Sequence, residues 1–354
     1  SLPMKFIIKK SFIIYFVISF LSFQNNLLSN SPKEKIDDFG IISLMYHRFE
    51  ENKYPSTNIK IKDFLKHIEI IQKNNIEFID PKNFQKELIE KKQRRKVLLT
   101  IDDGFTSFYE KAWPILKERE IPFILFVNTR EVGSFGYMNW DQIKEINKET
   151  YVEIGNHSHS HEYLVDEESN IIKEDIITSI NLFKKNLGKN SDFFSYPFGE
   201  YSLEFKEIIK SLNFKYAFGQ HSGVIDETKD FYELPRYPIN EKYGEIKRFK
   251  SLTKTLPFKY KNITPDEKYL LQNKNPPKVK IEFYDGIKNL KSLSCYSNEG
   301  NKWRQSDIKF SNDNTLLVNI NEKFEGERGR INCSLRDQSG YWRWLGVQFV
   351  IADR

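Results

Sequence analysis

The sequence predicts an α/β protein: a distorted (β/α) barrel followed by a small C-terminal β-sandwich. Three observations predict it. Between residues 41 and 218 short apolar runs alternate with segments of helical period, the pattern of parallel βα units. The residues with the most chemistry stand at the ends of those apolar runs, where a barrel carries its site. Beyond Pro276-Pro277 the helical period disappears and short alternating runs replace it, as in a sandwich.

The barrel elements follow in order. Ile41 to Tyr46 reads as a buried strand, and Ile61 to Asn74 has Phe64, Leu65, Ile68 and Ile71 at helical spacing. Val97 to Ile101 is a strand that stops at Asp102-Asp103-Gly104, with a helix from Tyr109 to Glu120. Phe123 to Val127 is a strand, and Trp140 to Asn147 a helix. Val152 to Gly155 leads into His157-Ser158-His159-Ser160-His161. A helix from Glu174 to Leu187 stops at Gly188, as a left-handed cap requires. Phe193 to Tyr196 is a strand ending at Pro197-Phe198-Gly199, Leu203 to Leu212 a helix, and Tyr216 to Phe218 a strand. The sandwich strands are Val279 to Phe283, Leu316 to Ile320, Ile331 to Leu335 and Val347 to Val350. We place the barrel at residues 31–260 and the sandwich at 270–354, with 241–266 ambiguous between them.

Residues 1–30 read as a signal peptide or an N-terminal anchor. Lys5, Lys9 and Lys10 precede the apolar run Ser11 to Phe23, a basic region followed by a hydrophobic one of secretory length. A membrane span would need about 20 apolar residues. Either reading puts the remainder outside the cytoplasm: periplasmic, secreted or membrane-anchored. Of the 55 basic side chains those three lie in this segment, leaving 52 against 49 acidic ones. So small an excess gives no reason to expect nucleic acid. Membrane contact is expected only through the N-terminal segment, and the oligomeric state is not legible. The two cysteines, Cys295 and Cys333, read as a disulfide in an exported chain.

Three of the six histidines lie within five residues, and two adjacent aspartates end an earlier strand. Imidazole nitrogen and carboxylate oxygen are zinc ligands, and a catalytic site keeps one position open. On a helical turn His157 and His161 would share a face, with His159 pointing elsewhere. One aspartate would complete a two-His, one-carboxylate set. The other would be free as a base toward water, and the fitting reaction is hydrolysis of an amide or ester. Zinc suits the donors, and cobalt or nickel would fit as well.

Together the motifs resemble those of the polysaccharide deacetylase, or NodB-homology, family over residues 40 to 240. Thr100-Ile101-Asp102-Asp103 resembles its first motif, with Ile in an aromatic position. His157-Ser158-His159-Ser160-His161 resembles the second, and Pro197-Phe198-Gly199 the end of the third. The resemblance implies a barrel of the NodB-homology type. It implies a metal held by Asp103, His157 and His161, Asp102 as general base, and the Phe198 N–H as an oxyanion donor. The family's third motif opens on an Arg that holds the base; here that position is Ser195. We expect Arg236 to supply the guanidinium from another strand end. No Leu-x-His acid is evident; His221 is the favoured candidate and His47 the other. Tyr46-His47 resembles the exported subgroup acting on poly-N-acetylglucosamine, which places His47, with Pro197, against substrate. Phe105, Trp140 and Tyr201 follow motif positions and are candidates to stack on sugar rings. His67 lies on the polar side of its predicted helix and receives no role.

The expected function is removal of acetyl groups from N-acetylated sugars of an exported or cell-wall polysaccharide, a hydrolysis of a carbon–nitrogen bond other than a peptide bond. A carbohydrate O-acetyl esterase is the near alternative. A non-catalytic glycan-binding protein, using Trp303, Trp342 and Trp344, is the distant one.

Overall fold

A computed structural model describes residues 39–90 and 94–353. The signal or anchor segment lies outside the described residues. Seven parallel strands form the first sheet: β1 Ile41–Tyr46, β2 Lys96–Asp102, β3 Phe123–Val127, β4 Val152–Asn156, β5 Phe193–Ser195, β6 Tyr216–Phe218 and β7 Tyr237–Pro238. They pair in chain order from β1 to β6, and β7 pairs with β1 on its other side. A parallel bridge from Phe218 to Leu234, just upstream of β7, brings the sheet round into a distorted barrel. A two-residue strand, Glu77–Phe78, adds to the base of β2. β1, β2, β3 and β4 are buried at every residue, which is why they read as continuous apolar runs and not as alternating ones.

The helices are α1 Ile61–Lys73, α2 Phe84–Glu90, α3 Trp113–Glu118, α4 Trp140–Asn147, α5 Ser169–Leu187, α6 Leu203–Ser211 and α7 Ile246–Leu252. The Asn139 side chain accepts from the Gln142 N–H while the Gln142 side chain accepts from the Asn139 N–H, so α4 starts where the sequence places it. α5 begins at Ser169, a turn and a half earlier than Glu174, and Ile172 in its first turn already belongs to the buried face with Ile176 and Ile180. Ahead of α3, residues Phe108–Ala112 are wound as a π-helix, and Pro114 occupies the first turn of α3.

The sandwich has two sheets. One is ordered β8 Thr255–Pro257, β17 Trp342–Ile351, β16 Arg328–Arg336, β12 Ser294–Ser297 and β13 Arg304–Gln305, with β10 Tyr269–Leu270 also on β17. The other is ordered β9 Asn262–Thr264, β11 Val279–Glu282, β15 Thr315–Asn319 and β14 Asp307–Asn312. The ambiguous segment 241–266 is thus divided: it holds α7, then two strands of the sandwich. Cys295 and Cys333 face each other across β12 and β16 and are disulfide-bonded.

β17 joins the two halves of the molecule. Leu345, Val347, Phe349 and Ile351 enter the sandwich core. The alternate residues face the barrel: Gly346 lies against the Ser222 backbone, and Val350 joins a cluster with Phe205, Ile209 and Phe214. Such period-two division covers both faces of one strand. Among the described residues no helix is long and apolar enough to cross a membrane.

Candidate active site

The C-terminal ends of β2, β4 and β5 converge. β2 ends at Asp102, level with Phe126 of β3, and the chain turns at Asp103. His157 follows β4 directly, and Pro197-Phe198-Gly199 follows β5. His47 is one residue beyond the last β1–β2 pair, Tyr46 with Ile101. Adjacent parallel strands therefore carry these residues to one rim.

Asp103, His157 and His161 form the one group of ligand-type side chains among the described residues that could hold a metal ion, their atoms all within 4.8 Å of one another. Asp103 Oδ1 is 3.1 Å from His157 Nε2 and 3.3 Å from His161 Nε2. Ligand atoms at 2.0–2.1 Å from a tetrahedral ion stand about 3.3 Å apart. His157 Nδ1 donates to the Ser195 carbonyl at 2.6 Å, which leaves Nε2 unprotonated toward a ligand, the usual outer support of a metal-bound histidine. Asp103 Oδ1 and His157 Nε2 are buried without a hydrogen-bond partner. Orphaned buried atoms of this kind call for a missing group, and a divalent ion fits.

The two histidines do not meet on a helical turn. Residues 157–161 form a bend in which Ser158 (φ 71°) and His161 (φ 54°) adopt left-handed backbone. The Asn156 side chain accepts from the Ser158 N–H, Ser158 Oγ from the His161 N–H, and Asp175 from the N–H groups of His159 and Ser160. His159 turns away, its Nδ1 2.9 Å from Thr129 Oγ1. Asp103 (φ 81°) and Phe198 (φ 60°) are left-handed too. Each such residue stores roughly 1–3 kcal/mol, and such residues collect at functional sites.

Asp102 and Arg236 are both fully buried. The guanidinium donates from two nitrogens to the two carboxylate oxygens, at 2.7 and 2.9 Å. It also donates to Ser195 Oγ at 2.8 Å, to Thr100 Oγ1 at 3.2 Å and to the Gly219 carbonyl at 2.9 Å. Ser195 Oγ in turn donates to Asp102 at 3.2 Å. Burial alone would raise the Asp102 pKa, but the charges of Arg236 and His157 overcome it and hold the carboxyl below its usual range. For Asp103 burial is likewise overcome, by the neighbouring imidazole of His157 and the charges of His161 and His47. The His157 pKa is raised: its burial is outweighed by Asp102 and Asp103.

The two acid candidates sit differently. His47 is half-buried at the rim, and its charge acts on Asp102, Asp103 and His161. His221 is folded inward beneath the 219–223 loop. Its Nε2 donates to the Glu233 carbonyl at 2.9 Å, its ring lies 6.0 Å from that of Tyr201, and burial pushes its pKa down to about 4. The aromatics predicted to stack on sugars are also placed. Tyr201 and Phe105 are buried, and Phe105 is covered by the Arg48 guanidinium. Trp140 packs edge-on against Phe183 of α5. Tyr201 and Phe105 therefore offer no free ring face, while Trp140 is half-buried. Tyr163 was not foreseen; it stacks on Phe198 at 4.4 Å between ring centres, and Phe198 also meets the His161 ring. His67 is buried, contrary to the polar position read from its helix. α1 is covered by α7, whose Phe249 ring stacks on the imidazole at 3.9 Å.

The chain is similar to known proteins in sequence and in fold. A family model described as polysaccharide deacetylase matches residues 89–217. A poly-beta-1,6-N-acetyl-D-glucosamine N-deacetylase of Staphylococcus aureus strain MSSA476 is 28% identical over 258 residues, covering 63% of this chain and 88% of its own. The enzyme of that name from Staphylococcus epidermidis is 25% identical over 222 residues, covering 59% and 75%. In fold the chain is similar to IcaB from Ammonifex degensii, with TM-score 0.54, 24% identity and coverage of 60% and 97%. It is also similar to the Streptococcus pyogenes deacetylase PplD in complex with acetate, with TM-score 0.54, 22% identity and coverage of 58% and 96%. Residues 89–217, which carry Asp102, Asp103, His157, His161 and Phe198, thus match a polysaccharide deacetylase domain, and the chain's curated relatives are named N-deacetylases.

Proposed function

We propose that this chain is a polysaccharide deacetylase that removes N-acetyl groups from an exported poly-N-acetylglucosamine-type glycan with one divalent ion, zinc by preference. The observation that carries the reading is the pairing of two kinds of carboxylate. Asp103 has an orphaned oxygen facing two imidazoles, while Asp102, next to it, is locked by Arg236. An ion held by Asp103, His157 and His161 would polarise the acetyl carbonyl and lower the pKa of a water. Asp102 is the base that takes the water's proton, and Arg236 keeps it ionised and oriented. The Phe198 N–H is the donor for the charge that develops on the carbonyl oxygen, where a fixed donor accelerates the reaction. His47 is the favoured acid for the leaving amine, because it stands among the carboxylates while His221 is bound to a carbonyl below them. Pro197 shapes the rim beside Phe198. The match to curated N-deacetylases of a β-1,6-linked glucosamine polymer favours an amide over an ester substrate. Their substrate and the disulfide together support a location outside the cytoplasm, where disulfides persist.

The test is acetate release from β-1,6-linked N-acetylglucosamine oligomers, with and without a chelator. Chelator-sensitive release is expected; none from any acetylated glycan would sink the reading. Asp102→Asn should lower kcat by about 10²–10⁴ with zinc still bound. Loss of zinc binding instead would mean that Asp102, not Asp103, is the ligand.

A further inference from the structure

The Phe198 turn is not held by the barrel alone. Glu200, two residues on, is 1% exposed at its side chain and forms an ion pair at 3.3 Å with Arg328 of β16, itself 19% exposed. The same guanidinium lies 5.7 Å from the centre of the Phe198 ring. Gln348 of β17, also buried, donates to the Gly199 carbonyl at 3.4 Å. Gly199 in turn is pressed on the next loop: a Cβ there would come within 2.5 Å of Gln220. That loop is tied to the sandwich as well, since Ser222 Oγ accepts from Trp344 Nε1 and donates to Asn332 Oδ1.

We propose that the C-terminal sandwich is a positioning element of the deacetylase site, acting through Arg328 on Glu200 to hold Phe198 in its left-handed turn. The proposal rests on the role of the Phe198 N–H given above. A non-glycine residue at φ 60° persists only where its surroundings over-determine it. Here Tyr163 and His161 pack on the ring, and the Arg328–Glu200 pair fixes the chain that follows. A buried carboxylate needs its counter-charge, so the turn and β16 are tied in one arrangement. The sandwich thereby becomes part of the catalytic geometry and not only an appended module.

The test uses the full chain with zinc. Arg328→Met keeps the bulk of the stem and removes the charge. It should lower kcat by about tenfold or more, a fraction of the ~10²–10³ that loss of a whole oxyanion donor takes. KM and zinc uptake, titrated against a chromophoric chelator, should stay as in the native chain. Arg328→Lys, which keeps the charge, should fall between the two. If Arg328→Met does not fold, Glu200→Gln carries the same expectation. Unchanged kcat, or a kcat loss accompanied by lost zinc uptake, would overturn the proposal. A crystal structure of the variant gives a readout free of activity: relaxed φ at Phe198 supports the proposal, and retained φ overturns it. Should the native chain release no acetate, the functional reading fails alone, and that φ still decides the positioning claim.

Discussion

Two buried polar clusters of the barrel differ in one respect. Beneath α1, His67 has both ring nitrogens occupied: Tyr46 Oη donates to Nδ1 at 2.8 Å, and Nε2 donates to the Gly244 carbonyl at 2.6 Å. At the rim, His157 is equally buried and has one nitrogen bound to Ser195 and one left without a hydrogen-bond partner. The first cluster is complete, so it does nothing but hold α1 to β1 and α7. The second is half complete. Arg236 and Ser195 satisfy Asp102, while Asp103 and His157 keep atoms in reserve for a ligand. Burial of a histidine therefore says little about its role; the count of its partners says much.

Three variants would break or sharpen this contrast. The largest stability effect is expected where the rim is complete. Arg236→Met strands the Asp102 carboxylate in a buried site and should destabilise the chain by about 3–5 kcal/mol, read by chemical denaturation. A loss well under ~1 kcal/mol would show that the pair is reached by solvent, as surface pairs are.

The next effect belongs to the complete cluster. Burial lowers the His67 pKa from 6.5 to about 4, against the bond to Gly244, which raises it. Between those values the unfolded chain binds a proton that the folded chain does not. Stability is therefore fully present above pH 6.5 and falls as pH drops toward 4, by roughly 3 kcal/mol from this group. His67→Gln should remove one proton from the slope of unfolding free energy against pH in that window. An unaltered slope would mean that His67 is not the neutral, satisfied group described.

The smallest effect should come from the incomplete cluster. His157→Gln in the metal-free protein loses one backbone hydrogen bond, about 1 kcal/mol. It should nonetheless abolish the rise in Tm that zinc gives the native chain, since only a ligand bound to the folded state stabilises it. A zinc-induced rise that survives the substitution would remove His157 from the ligand set.

Much of the barrel was legible. β1, β3 and α4 lie within a residue of where hydrophobic period put them, because strands buried on both faces and a helix with a capping box carry strong local signals. α5 starts earlier than expected: Ile172 already belongs to its buried face, but no side-chain cap marks the start at Glu168. The strands β12, β13 and β14 were missed, since SCYS, RQ and DIKFSN hold too few apolar residues to mark a run. At the site, Asn156 before His157 was a readable turn signal. Asp175, which holds the same bend from α5, had no local signal at all. The same is true of Arg328 and Glu200, which pair across two domains from far apart in the sequence.

The sequence by itself determined the donor inventory: two aspartates, two histidines and a Pro-Phe-Gly, each at the end of an apolar run. Local propensity and period place such residues at strand ends, and parallel strands bring those ends to one rim. Only the tertiary structure decided which groups touch. It brought Arg236 to Asp102 and folded His221 under its own loop while leaving His47 at the rim. It also set β16 and β17 against the Phe198 turn. Those choices depend on how loops close and which faces pack, and nothing within a few residues of each position encodes them.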